Sequence, residues 1–124
     1  MNEQGVQDWL SRLKVAWESG DGVGALKLFA HVERYYERPF YAATKPDEVA
    51  AYWKDIDSLT DIRFDYELIA LSTENVAVVH WQNWYRVTPD SELDHLDGVF
   101  FITFNSGGEC TEFRQWWFQE PQVN

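Results

Sequence analysis

Hydrophobic positions change their spacing once along the chain, and that change divides it into a helical part and a sheet part. Val6, Trp9, Leu10, Leu13, Ala16 and Trp17 recur at three- and four-residue steps, which is one stripe of an amphipathic helix that Gly20 ends. Asp21 is placed to cap a second, shorter helix with the stripe Val23, Leu26, Phe29 and Ala30, so the Gly20-Asp21-Gly22 corner predicts a helical hairpin. From His31 to Ala43 the segment reads as irregular: Pro39 forbids a long helix, and the Tyr and Phe residues suggest short extended pieces. Thr44 followed by Asp47 resembles a capping box, and Val49, Tyr52, Trp53 and Ile56 predict a third helix.

After Thr60 the period becomes two. Ile62, Phe64, Tyr66 and Leu68 alternate with Arg63, Asp65 and Glu67, and a second strand reads NVAVVHWQNWYRV over 75–87. Two more strands fill Leu96 to Phe118, joined by a tight turn at Asn105-Ser106-Gly107-Gly108, whose glycines supply the positive φ of a hairpin. Thr88 to His95 (TPDSELDH) reads as a polar turn, and four strands in succession make an antiparallel meander the simplest topology. The last hairpin is too apolar for a sheet with one face in water, so both faces are expected to be covered. The fold class is α+β, and 124 residues are most economically one domain, 1–124.

Charge narrows the partners. The formal net charge is −11 and no Lys/Arg cluster stands against it, so nucleic acid and anionic membranes are excluded as expected partners. The N-terminal residues lack the basic and apolar regions of a leader, and no apolar run approaches the ~20 residues of a membrane span, so a cytoplasmic location is expected. A lone Cys110 within a predicted strand reads as a core or sheet-face thiol rather than half of an intramolecular disulfide. Seven Trp residues point to a large-walled cavity or an interface.

Helix, Gly-Asp corner, helix, "YERPF", a helix beginning "PDEVAAYW", then strands carrying "LDGVF" and "EFRQWW", taken in this order, resemble the SnoaL-like group of the nuclear transport factor 2 (NTF2)-like superfamily. The resemblance covers nearly the whole chain and implies a cone-shaped α+β barrel: three N-terminal helices packed in a strongly curved antiparallel sheet, a pocket at the wide end, and a convex face often used to dimerise. In the register the resemblance implies, Ile62, Phe64, Tyr66 and Leu68 share the pocket face with Val79, Trp81, Asn83, Phe100, Ile102, Phe113, Gln115 and Trp117. His80, Gln82, Trp84, Arg86, Val99, Phe101, Thr103, Glu112, Arg114 and Trp116 then lie on the other face, and a one-residue slip would exchange the two sets.

The resemblance also says what is missing. The acid–base positions of ketosteroid isomerases fall on Leu13, Phe100 and Arg38, and those of limonene epoxide hydrolases on Asn83, Trp81 and Gln115. None carries the needed group, because an amide has no proton to exchange near neutral pH. Of the other candidates, His80 would be a proton-transfer group only if the register were slipped and otherwise reads as a hydrogen-bonded residue of the outer face, where Asp65 and Glu67 read as solvated acids. His95, Asp94 and Asp97 are close in sequence without a metal-ligand spacing, and neither a metal nor a cofactor is expected.

Three readings of function remain. The first is a binding domain for a small, largely apolar aromatic molecule, lined by Trp81, Asn83, Phe100, Ile102, Phe113, Gln115 and Trp117, with Arg38 at the mouth. The second is a cyclase, isomerase or hydratase on an aromatic or polycyclic substrate, which requires a titrating group inside the cone. The third is an interaction protein whose cone its own Trp side chains fill. A homodimer through the convex face is expected, anchored by Trp84, Val99, Phe101 and Trp116.

Overall fold

The computed structural model describes residues 1–122. Helix α1 spans Glu3–Glu18; the Asn2 side chain caps it by accepting from Gly5 N at 2.8 Å. Its end is a Schellman turn in which Asp21 N donates to Ala16 O (2.8 Å) and Gly20 N to Trp17 O (3.0 Å), with Gly20 at φ 69°. Helix α2, Gly22–Lys27, follows at once, with Asp21 Oδ1 accepting from Gly24 N at 2.8 Å. The expected stripe on this helix is corrected: Ala25 and Phe29 turn inward, while Val23 is 69% exposed. The helix packs so closely that a side chain on Gly22 would lie 2.4 Å from the Trp53 carbonyl, and this contact sets which face is buried.

Helix α3, Pro46–Trp53, and a 3₁₀ turn, Ile56–Ser58, complete the helical part. The cap of α3 sits one residue later than expected. Glu48, rather than Asp47, reaches back to accept from Thr44 N and Lys45 N, both at 3.2 Å, because the longer side chain can span the first turn. Among the described residues no helix is long and apolar enough to cross a membrane.

Six strands form one curved, unclosed sheet: β1 Arg34–Arg38, β2 Tyr41–Ala43, β3 Thr60–Leu71, β4 Val76–Arg86, β5 Asp94–Phe104 and β6 Cys110–Gln119. Strands β3 to β6 make the expected antiparallel meander. Two expectations are corrected. The segment 31–43 is not irregular but supplies β1 and β2, turning at Pro39-Phe40; and the sheet is mixed, because β1 runs parallel to β6, with Tyr35 opposite Phe113. Asp94 and His95, expected in a turn, begin β5, where His95 pairs with Trp84.

The register places the expected residues inside. Phe64, Val79, Trp81, Asn83, Phe100, Ile102, Phe113 and Gln115 are all buried, and their neighbours along the strands face out. An aromatic column fills the concavity: Trp17 of α1 stacks on Phe64 (4.6 Å), Trp81 on Phe100 (5.0 Å), Phe100 leans on Phe113 (4.8 Å), and Phe113 stacks on Tyr35 (4.9 Å). The free edge of β3 is covered by side chains instead of a strand. Glu18 accepts from Phe64 N at 2.9 Å, and Lys14, itself paired with Glu18 at 2.9 Å, donates to Phe64 O.

Two outcomes are expected in denaturant titrations. Trp17→Ala should lower the unfolding free energy by about 3–5 kcal/mol, as for a large aromatic removed from a core. Glu18→Ala, which leaves a part-buried backbone donor without its acceptor, should lower it by roughly 1–3 kcal/mol.

Candidate functional site

Strand β1 is short and its side chains alternate: Tyr35 is buried, Arg38 exposed, and Glu37 turns back toward the inside of the cone. Parallel pairing with β6 brings this inner pair alongside Phe113 and Gln115. Between them and the helices lies a cavity of about 70 Å³ lined by Trp17, Tyr35, Glu37, Tyr52, Trp53, Ile56, Phe100, Phe113 and Gln115. A second, more open cavity of about 350 Å³ lies at the cone mouth, lined by Glu37, Arg38, Pro39, Phe40, Gln115, Trp116, Trp117 and Phe118. Glu37 and Gln115 border both, so they stand at the join between a narrow inner chamber and a wide apolar vestibule.

Glu37 is the group whose environment departs most from what a surface acid meets. Burial raises its carboxyl pKa, and the nearby Tyr35 hydroxyl, Arg38 guanidinium and Gln115 amide, which favour the charged form, offset this only in part. Burial, and then the charge of Glu37, hold the Tyr35 phenol well above its ordinary value, so it stays a neutral donor. The Tyr35 Oη to Glu37 Oε2 distance is 3.4 Å. A half-buried acid of raised pKa beside a neutral phenol, facing an apolar space, is a candidate for taking and returning a proton.

The sequence-predicted residues divide into two groups. Phe100, Phe113 and Gln115 line the inner chamber, and Gln115, Trp117 and Arg38 the vestibule. Trp81 and Ile102 are buried in the core, and Asn83 donates from Nδ2 to Arg63 O at 2.9 Å; these three border neither cavity. Tyr35, Glu37 and Trp53 were not read as site residues. The signal for the first two was available: once 34–38 is a strand, an inward Tyr35 requires an inward Glu37.

The remaining candidates lie elsewhere. His80 Nε2 meets Asp97 at 3.0 Å on the outer face. His95 stacks on Trp84 (4.7 Å, 2°) and is held by Glu120 at 2.6 Å and Gln82 at 2.9 Å. Asp65 is not simply solvated: Arg63 holds it at 2.7 Å and depresses its pKa. Burial pushes the Cys110 thiol up to about 12, which leaves it an inert core group. Among the described residues no three His, Cys, Asp or Glu side chains converge as a metal site. A further apolar groove of about 360 Å³ separates α2 from α3, floored by Phe29 and Val49, with Lys45 and Asp47 among its lining.

Comparison with known proteins agrees with this architecture. A family model described as "SnoaL-like domain" matches residues 6–113. No curated protein matches the chain in sequence. Among solved structures, a putative scytalone dehydratase from Novosphingobium aromaticivorans superposes with a TM-score of 0.78 at 14% identity, covering 98% of this chain and 88% of that one. SalBIII, an epoxide hydrolase/cyclase-like enzyme of pyran ring formation in the polyether salinomycin, also gives 0.78 at 11% identity, over 94% and 93% of the two chains. A Δ5-3-ketosteroid isomerase from Mycobacterium sp. gives 0.67 at 15% identity, over 94% and 98%. At such identities the likeness shows the fold alone.

The pKa of Glu37 fixes the sign of a stability measurement. A folded-state pKa above the unfolded value means that its contribution is present below the unfolded pKa and is lost as pH rises through the folded one. Glu37→Gln should therefore be more stable than the parent at pH 7, and its stability should fall less between pH 4 and pH 7, measured by denaturant titration at each pH.

Proposed function

The chain belongs to the SnoaL-like domain family, and from that premise we propose that it takes a small, largely apolar aromatic molecule into the cone mouth and that Glu37 moves a proton on it. The observation that carries this reading is the placement of Glu37, among the described residues the one acid bordering both chamber and vestibule. Trp117, Phe118 and Phe40 offer ring faces to the body of the guest, while Gln115 can donate to or accept from its polar end. Arg38, exposed at the rim, suits a single negative charge on the outer end of the ligand. A dehydratase, a cyclase-like enzyme and an isomerase share this fold, and each name fits proton transfer to an organic substrate. Glu37 would supply what Leu13, Phe100 and Arg38 lack. Trp81, Asn83 and Ile102 act in this reading as the wall behind the site.

Calorimetry with 2-naphthol near pH 6, run in buffers of different ionisation enthalpy, tests it. A neutral ring set over Glu37 desolvates the carboxylate further, so binding should take up protons, and Glu37→Gln should bind without uptake. Equal uptake by both proteins, or no binding by either, overturns the reading. With 2-naphthoic acid, Arg38→Ala and Gln115→Leu should each weaken binding by about 1–3 kcal/mol. Binding with no proton uptake would leave the plain binding domain as the better description.

The convex face suits a second copy of the chain. Phe101 and Trp116, 37% and 41% exposed, make a T-shaped pair 5.5 Å apart, with Val99 beside them. Trp84 contributes less than its size suggests, since His95 stacks on it and Arg63 lies over its ring at 4.9 Å. Sedimentation equilibrium at micromolar concentration should give twice the chain mass, and Trp116→Glu should give the monomer; a monomeric parent would remove this expectation.

A further inference from the structure

Strand β6 is covered by β1 over only part of its length. Their pairing runs from Arg34 opposite Glu112 to Tyr36 opposite Arg114, and among the described residues no strand is paired with β6 beyond that point on the β1 side. The β1–β2 hairpin departs there, and the vestibule of about 350 Å³ lies in the gap between residues 37–40 and 115–118. The far end of β6 shows which way its backbone points. Glu120 N donates to His95 O at 2.8 Å, so Glu120 faces β5, and by alternation Gln115, Trp117 and Gln119 turn their backbone groups to the side away from β5.

The outer edges of the sheet are protected against pairing. Strand β2 has only three residues, while β3 carries Asp61, Arg63, Asp65 and Glu67 and has its edge occupied at Phe64 by Glu18 and Lys14. The open stretch of β6 has neither device. Gln115 to Gln119 bears no charge in a chain of net charge −11, Trp116 is 41% and Phe118 82% exposed, and Phe40 across the gap is wholly exposed. An apolar edge of this kind is a template for a further strand.

The sequence of the edge says which strand fits it. RQWWFQE, residues 114–120, reads nearly alike from either end about Trp117: amide, three aromatics, amide, with a cation at one end and an anion at the other. Laid antiparallel on a second copy about Trp117, it sets Trp117 against Trp117, Trp116 against Phe118 and Gln115 against Gln119, and brings the Arg114 end of each copy to the Glu120 end of the other. A parallel arrangement would bring like charges together. Arg114 is held by Glu112 at 3.0 Å and Glu120 by His95 at 2.6 Å within their own chain, so these ends choose the direction of pairing more than they strengthen it.

We propose that two copies of this chain join through the open edge of β6, antiparallel about a two-fold axis at Trp117, and so form one continuous sheet. The proposal rests on the expectation of a homodimer and moves its contact from the convex face to the strand edge. Trp117 lines the vestibule, so the vestibules of the two copies meet at the axis and each is walled in part by the strand of the partner.

Trp116 borders both the edge and the convex face, so Phe118 and Phe101 are the positions that tell them apart. Sedimentation equilibrium of the full chain at micromolar concentration should give a dimer for the parent and for Phe101→Glu. Phe118→Glu, at a position exposed enough to leave the fold intact, should weaken the dimer about ten-fold or more, the scale of an interface anchor. Mild oxidation of Trp117→Cys should give a disulfide-linked dimer, because a residue on the axis faces its own copy at ~5.5 Å between Cα atoms. The parent should give none, since its one cysteine, Cys110, is buried. A dimer that Phe118→Glu leaves intact and Phe101→Glu breaks, with no link at position 117, overturns the edge pairing and leaves the convex face as the interface. A monomeric parent removes both.

Discussion

The pairing of β1 with β6 is the contact on which the candidate site depends. Among the described residues it is the only parallel pairing in the sheet, and it sets Arg34, Tyr35 and Tyr36 opposite Glu112, Phe113 and Arg114. Without it Glu37 would sit on a loop in water; with it, the carboxyl is fixed beside Gln115 at the mouth of the cone. The ion pair across the two strands, Arg34 to Glu112 at 3.0 Å, is more than half exposed on the arginine side and contributes little. The stacking of Tyr35 on Phe113, with both rings 1% exposed, contributes more, because it removes two aromatic side chains from water. On the outer face, the Arg114 guanidinium lies 4.0 Å over the Tyr36 ring and pins the same register from the other side.

The aromatic column that stabilises the cone also shapes its cavity. Trp17 and Trp53, in T-shaped contact at 5.2 Å, descend from the helices into the space that a smaller pair of side chains would leave to a ligand. What remains is a small chamber beside a vestibule five times larger by volume (350 against 70 Å³), with Glu37 and Gln115 bordering both. The same rings that close the core thus leave the polar groups Glu37 and Gln115 toward the inside and apolar surface at the rim. Gly98 belongs to this packing. A side chain there would lie 2.6 Å from the Trp81 ring, so the absence of one lets the indole lie against β5.

The helices, the meander and its register were legible because each rests on a repeating pattern. Phe64, Trp81 and Phe113 alternate with charged or polar neighbours, and one buried face forbids a slip. Strand β1 was not legible, for a physical reason. RYYER presents a polar residue, Glu37, where the hydrophobic face of a strand should continue, so this inward carboxyl erases the pattern that would reveal the element. Arg38, which precedes Pro39, is exposed and does not line the chamber. Helix α2 was misread because its inward face is set by the bare backbone of Gly22 against Trp53, and a contact without a side chain leaves no hydrophobic mark.

At Leu13, Phe100 and Arg38, where the resemblance places acid–base groups, this chain carries none, while the carboxyl of Glu37 lies on the inner side of β1. Leu13 and Phe100 are fully buried and pack the aromatic core, so neither position could hold an ionised group without a partner. One residue before Arg38, strand parity reverses: the side chain at 37 enters the cone, and the cation at 38 stays at its rim, where it lowers the pKa of its neighbour without neutralising the effect of burial. Asn83 and Gln115 are both buried amides on the inner face, yet the Asn83 amide is committed to the Arg63 carbonyl of β3. The Gln115 amide borders both cavities and favours the charged form of Glu37. One step along a strand thus exchanges an exposed cation for an inward carboxyl, which meets the Gln115 amide of the neighbouring strand and the Tyr35 hydroxyl of its own.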